Sequence, residues 1–205
     1  MRDVSAVNDV QIVVLSGPSG SGKSTIVREL LLKSPIKLTL SVSATTRPRR
    51  QGEVDGRDYY FLSQEEFQKR LARGDFLECA EVHSTGNWYG TLKSELDRAK
   101  ADGTWALLEI DVQGAKTILE QFPNAISIFL WTSDFEKRLR DRATETEEVI
   151  QKRVATAKSE LEHASMYAYK VLNDKLPVAV QEIIEILQQH QRQAADRPIE
   201  TSATT

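Results

Sequence analysis

Gly17-Pro18-Ser19-Gly20-Ser21-Gly22-Lys23-Ser24 is the segment that most narrows the folds open to this chain. It fits G-x-x-x-x-G-K-[ST] and lies between a short apolar run, Gln11–Leu15, and a stretch from Lys23 to Lys33 that sets Ile26, Val27 and Leu30 on one helical face. Strand, glycine loop and helix in that order make a cradle for anions. The glycines let successive N–H groups point inward, and the helix N-terminus adds partial positive charge at the same point. Lys23 then reaches the β and γ phosphates of a nucleoside triphosphate, and Ser24 offers its hydroxyl to Mg²⁺. An ordinary Gly/Ser turn is the alternative, but the four fixed positions match by accident in roughly 1 chain of this length in 100. The chain is read as a nucleoside triphosphate binder.

Composition removes several other classes. With 27 Lys and Arg against 30 Asp and Glu in 205 residues, the net charge is −3, so binding to nucleic acid through a basic field is not expected. No apolar run approaches the ~20 residues of a membrane span, and Met1 to Gln11 lacks the basic-then-apolar order of a signal peptide. One cysteine, Cys79, excludes a disulfide framework, and His83, His163 and His190 lie too far apart for a metal-ligand spacing. The expectation is a soluble cytoplasmic protein, monomer or homodimer, with no membrane partner.

Strand and helix patterns alternate along most of the chain. Trp105–Ile110 and Ala125–Trp131 have the length of buried parallel strands, with a helical stretch, Gly114 to Phe122, between them. Ser133 stands three residues before Glu136 as in a capping box, so a helix is expected to follow it. A polar helix from about Glu147 to Ser165, a last strand at Tyr169–Asn173 and an amphipathic helix from Val178 to His190 complete the pattern. Residues 41–91 break it with an arginine cluster, three of the five tyrosines and one short helix near Ser63–Arg73, which reads as an inserted, mostly β subdomain. The division expected is one domain over 1–190, with core segments 10–40, 92–134 and 166–190, an insertion over 41–91 and a lid over 135–158. A loose tail over 191–205 would follow.

The insertion opens with Ser41-Val-Ser43-Ala-Thr-Thr-Arg47-Pro-Arg-Arg50-Gln-Gly-Glu53, which alone reads equally well as a solvated basic loop. Together with the phosphate loop, Phe76-Leu-Glu78, Gly86-Asn-Trp-Tyr89-Gly-Thr91, Glu109-Ile-Asp111-x-Gln-Gly114, Thr144 to Glu148 and Val171-x-Asn173-Asp174, it resembles the guanylate kinase family from about Gln11 to His190. The resemblance implies an α/β P-loop core of parallel strands flanked by helices, a small β-rich GMP-binding subdomain and a helical lid. It implies transfer of the γ-phosphoryl group of ATP to GMP, with dGMP as a second acceptor and Mg²⁺ as cofactor.

Roles carry over position by position. The loop from Gly17 through Pro18, Ser19, Gly20, Ser21, Gly22, Lys23 and Ser24 to Thr25 would bind ATP, with Asn173. Arg47 and Arg50 can present guanidinium forks to the acceptor phosphate, and Tyr59 and Tyr89 can add phenolic hydrogen bonds, although either ring could simply pack. Glu78 would accept both adjacent donors of guanine, N1–H and N2–H₂; without the resemblance it is a surface carboxylate at a strand end. Ser43 and Thr91 would meet O6 and N7. Glu109 and Asp111, alternating at a strand end, would project to one face, one of them holding Mg²⁺ with Ser24 through water while Asp111 also serves guanine. Relatives often carry Asp at the position of Glu109, so which carboxylate does which stays open. Arg138, Arg142 and Arg153 would bring lid charge to the transferred group, with Lys23 and Arg47 completing the catalytic set. Arg140 lies on the opposite side of its helix and reads as solvated.

Two rivals are weighed against this. A scaffold domain of guanylate-kinase type would usually lack an intact phosphate loop, and here every glycine, Lys23 and Ser24 are present. A kinase for another nucleoside monophosphate is disfavoured by Glu78 and the Ser43–Arg47 segment.

Overall fold

A computed structural model of the chain describes residues 10–82, 86–141 and 147–196. β1 (Ile12–Ser16) is buried along its whole length because both its faces and both its edges are covered. It pairs in parallel with β7 (Trp105–Glu109) and β8 (Ile126–Trp131). With β2 (Leu38–Leu40) and β9 (Tyr169–Leu172) these form an all-parallel sheet in the order β2-β7-β1-β8-β9. Successive residues of β1 point to opposite faces. Val13 and Leu15 pack with Ile26, Val27 and Leu30 of α1 (Lys23–Lys33) and with Ile183 and Leu187 of α7 (Leu176–Ala195). Ile12 and Val14 join Leu96 and Ala99 of α3 (Ser94–Ala101) and Ala115 and Ile118 of α4 (Val112–Gln121) on the other. A strand buried on two sides must be apolar at every position, which is why the run before the glycine loop shows no alternation.

The second sheet has the order β4-β3-β6-β5, from β3 (Ser43–Thr45), β4 (Tyr60–Phe61), β5 (Phe76–Val82) and β6 (Asn87–Leu92). One face packs on α2 (Gln64–Ala72), where the fully buried Phe67 stacks on Phe76 at 4.4 Å. Ser63 caps α2 by accepting from the Glu66 N–H at 3.1 Å. The opposite face turns toward the C-terminal ends of β1 and β7, where open parallel sheets bind ligands.

α5 (Phe135–Asp141) and α6 (Glu147–Glu162) follow β8, and a single 3₁₀ turn, His163–Met166, leads into β9. Four sequence expectations need correction. Ser133 does not serve a capping box: its hydroxyl donates to Asp174 at 2.6 Å, and Glu136 pairs with Arg140 at 3.2 Å. α6 ends at Glu162, three residues before the expected helix end at Ser165, where a 3₁₀ turn takes over. The last helix ends at Ala195, so the first five residues of the expected tail are helical; positions 197–205 lie outside the described residues. Asp111 is not on a strand, since β7 stops at Glu109 and Asp111 is the N-cap of α4. Among the described residues no helix is long and apolar enough to cross a membrane.

Candidate active site

The phosphate loop leaves the end of β1 and enters α1, and its glycines are required by space as well as by curvature. Gly17 and Gly22 have φ values of 141° and 90°. A Cβ on Gly17 would collide with the Leu130 carbonyl, and one on Gly22 would lie 2.6 Å from Asn173 Nδ2. Asn173, almost fully buried, donates from Nδ2 to the Ser21 carbonyl at 2.8 Å and so holds the loop from the end of β9. Arg138 of α5 donates to the Asn173 carbonyl at 2.7 Å, which brings an arginine from beyond β8 to the same loop. Lys23 Nζ donates to the carbonyls of Gly17 and Pro18 at 2.6 and 3.2 Å. Thr25 lies in the first turn of α1, where its N–H bonds the Gly22 carbonyl at 3.1 Å.

Ser24 Oγ donates to Glu109 Oε1 at 2.7 Å, so a hydroxyl and a carboxylate converge where the helix begins. Two oxygen donors beside a phosphate loop suit Mg²⁺, which keeps several waters and takes few protein ligands. Asp111 points elsewhere. Its Oδ1 accepts from the Gly114 N–H at 2.8 Å, and its charge is felt by Glu78.

Across the cleft, strand register assembles the other half. Ser43 on β3 is opposite Thr91 on β6, and Thr91 is opposite Glu78 on β5, so the three side chains form one row across the sheet. Thr91 Oγ1 donates to Glu78 Oε1 at 2.6 Å. Glu78 is only 8% exposed; burial pushes its carboxyl up to about 7, the bond from Thr91 pulls the other way, and the neighbouring Asp111 charge adds to the rise. A Cβ on Gly114 would stand 2.7 Å from Glu78 Oε2, so the missing side chain there is the space the carboxylate occupies.

Tyr89 is two residues before Thr91 on the same face of β6, and its ring meets that of Tyr59 edge-on at 6.0 Å. The Arg47 guanidinium sits 5.4 Å from the Tyr59 ring centre and makes a fork with Glu53, at 3.0 and 2.7 Å. Hydrogen bonding to Glu53, and after it to Tyr89, raises the Arg47 pKa. Arg50 does not join this cluster through its guanidinium: its side chain is exposed, and only its N–H reaches Glu53, at 2.7 Å. The cleft between the two halves measures about 570 Å³, with Lys23, Ser24, Glu109 and Asp111 on one wall and Ser43, Tyr59, Glu78 and Tyr89 on the other.

Of the other arginines expected in a lid, Arg153 is half-buried on α6, and Arg142 lies outside the described residues. Arg140 pairs with Glu147 at 2.7 Å and ties α5 to α6. Two carboxylates that the sequence analysis left without a role belong to the site. Glu53 orients Arg47, and its place six residues on in the same arginine-rich segment was the available signal. Glu160 of α6 lines the cleft; burial raises its pKa against the pull of Lys23 and of the Ser19 N–H. No local pattern marks it, because its neighbours come from the far end of the chain.

A guanylate kinase profile matches residues 9–190. A guanylate kinase of Rhodopirellula baltica is 45% identical over 181 residues, covering 86% of this chain and 87% of that protein. One of Desulfitobacterium hafniense is 46% identical over 179 residues, covering 86% and 88%. Among solved structures, guanylate kinase from Anaplasma phagocytophilum superposes with a TM-score of 0.69 at 30% identity, covering 89% of this chain and 87% of that one. A shikimate kinase from Bacteroides thetaiotaomicron, at 13% identity and a TM-score of 0.50, shares the fold alone. The phosphate loop, the Ser43–Thr91–Glu78 row facing it and the extent of these matches lead to one statement: the chain belongs to the guanylate kinase family.

Proposed function

We propose that this chain transfers the γ-phosphoryl group of ATP to GMP, giving ADP and GDP, and accepts dGMP as well. The observation that carries the reading is the row of Glu78, Thr91 and Ser43 facing the phosphate loop across one cleft. An ionised carboxylate accepts two adjacent N–H donors, which guanine has and adenine lacks. The Ser43 hydroxyl beside it can donate to O6 or N7, and the Thr91 hydroxyl, whose hydrogen goes to Glu78, would reach the base only by turning. Arg47, held between Glu53 and the Tyr59 ring, is a preformed fork for the acceptor phosphate, with Tyr59 and Tyr89 beside it. Arg50 would join only by turning its exposed side chain inward.

Lys23 and the loop amides hold the donor phosphates, and Arg138 reaches the loop from the lid side, with Arg142 and Arg153 further along the same segment. The acceptor is already an anionic phosphate, so no general base is needed and positioning with electrostatics carries the rate. Ser24 and Glu109 would hold Mg²⁺, which neutralises charge on the phosphates when bound; Asp111, directed toward Glu78 and Gly114, would serve the base. An ADP-release assay with GMP, dGMP, AMP and UMP tests this. GMP should be the best acceptor and dGMP the second, and a preference for AMP or UMP would overturn the reading.

A further inference from the structure

The second sheet joins the core at two places, residues 41–42 between β2 and β3, and Lys93 between β6 and α3. Glu95 lies in the first turn of α3, 2% exposed, next to both. Its Oε2 accepts from the Val42 N–H at 2.7 Å and from Arg98 Nη2 at 2.6 Å, and its Oε1 accepts from the Tyr60 hydroxyl at 2.9 Å. Arg98 Nη2 also donates to the Leu40 carbonyl at 2.7 Å, at the last residue of β2. The next amide, Ser41, still belongs to the core, donating to Leu107 at 2.9 Å. Val42 is therefore the first residue past the core sheet, and its amide is held by Glu95 rather than by a strand.

We propose that Glu95 is a positioning residue for the acceptor nucleotide: it is the pin that fixes the second sheet on the core. The proposal rests on the reading that this sheet holds GMP. One carboxylate on the core ties the entry segment, through Val42, to the far edge of the sheet, through Tyr60 on β4. β4 pairs in parallel with β3, with Tyr60 opposite Ala44, so the bond reaches the strand that carries Ser43. The carboxylate also stands four residues after Thr91. Both strands that bring hydroxyls toward the base are thus oriented from one point. A buried carboxylate with three donors, one of them a guanidinium, is costly to break, so this network selects one angle of the sheet.

The test uses Tyr60→Phe, which removes only a hydroxyl, and Glu95→Gln, which keeps the shape and removes the charge. Tyr60→Phe should raise KM for GMP about three- to tenfold and leave KM for ATP within about twofold, and Glu95→Gln should do at least as much. The double variant should be no worse than Glu95→Gln alone within about twofold, since both side chains act through one hydrogen-bond network. If Glu95→Gln fails to fold, Tyr60→Phe decides alone. An unchanged KM for GMP, equal rises for both nucleotides, or losses that multiply in the double variant would each overturn the proposal. Glu78→Gln, measured alongside, separates two failures. A large GMP effect there with none in Tyr60→Phe overturns the pin alone, whereas no effect there overturns the acceptor-site reading and the pin with it.

Discussion

Thr91 donates its hydroxyl hydrogen to Glu78 at 2.6 Å, from a neighbouring strand and out of contact with solvent. The bond aims one carboxylate oxygen and favours the ionised form, yet burial outweighs it and the carboxyl titrates at about 7. Two pH effects follow. GMP recognition needs the anion, so KM for GMP should rise as pH falls below about 7, and Glu78→Gln should flatten that rise while GMP keeps its own phosphate titration. For stability, the folded pKa lies above the ordinary glutamate value of 4.5. The contribution of this group is fully present below about pH 4.5 and is lost as pH rises to about 7. Glu78→Gln should therefore stabilise the fold at pH 8 by on the order of 1–3 kcal/mol and have little effect near pH 4, read by urea unfolding.

Lys23→Ala should lower kcat by at least about a hundredfold with an unchanged circular dichroism spectrum. The side chain extends along a loop whose amides already bind anions, so its loss removes a contact that strengthens as charge develops in transfer. A near-normal kcat would remove Lys23 from the catalytic set.

Gly114→Ala places a methyl group where Glu78 Oε2 now stands, 2.7 Å from the new carbon. Something must shift, and the carboxylate is the movable partner. kcat/KM for GMP should fall about tenfold or more while KM for ATP holds, as steady-state kinetics with each nucleotide varied in turn would show.

Chelating divalent cations with EDTA should abolish transfer, and adding Mg²⁺ back should restore it. Glu109→Gln should raise the Mg²⁺ concentration needed for half-maximal rate with little change in KM for GMP, because Glu109 shares Ser24. Asp111→Asn should do the reverse. Equal effects of the two substitutions on metal and GMP would contradict the division of labour.

The legible parts of the fold were those set by local sequence. β1, the glycine loop and α1 follow one another without interruption, and their residue types admit few other conformations. Ser63 marked the start of α2 for the same reason. β2 was missed because Leu38–Leu40 is three residues long and shows no period; it is a strand only because β7 lies beside it. Asp111 was read as strand because alternation of Glu109 and Asp111 cannot reveal that the chain turns into a helix between them. Glu53, Glu95 and Glu160 are carboxylates whose meaning depends on partners, and for Glu95 and Glu160 those partners are distant in sequence. The glycine loop and the arginine segment stood out in the sequence; Glu160 and the contacts that hold the charged side chains in place did not.

The central claim is that Glu78 reads guanine, and the most direct measurement is kcat/KM for GMP and for AMP in the unaltered chain and in Glu78→Gln. Gln presents a donor where one acceptor stood, leaving an N–H of guanine facing an N–H of the amide. The account predicts that kcat/KM for GMP falls about tenfold to a hundredfold, that KM for ATP is nearly unchanged, and that the preference for GMP over AMP shrinks. Full GMP activity with the same preference over AMP would contradict it.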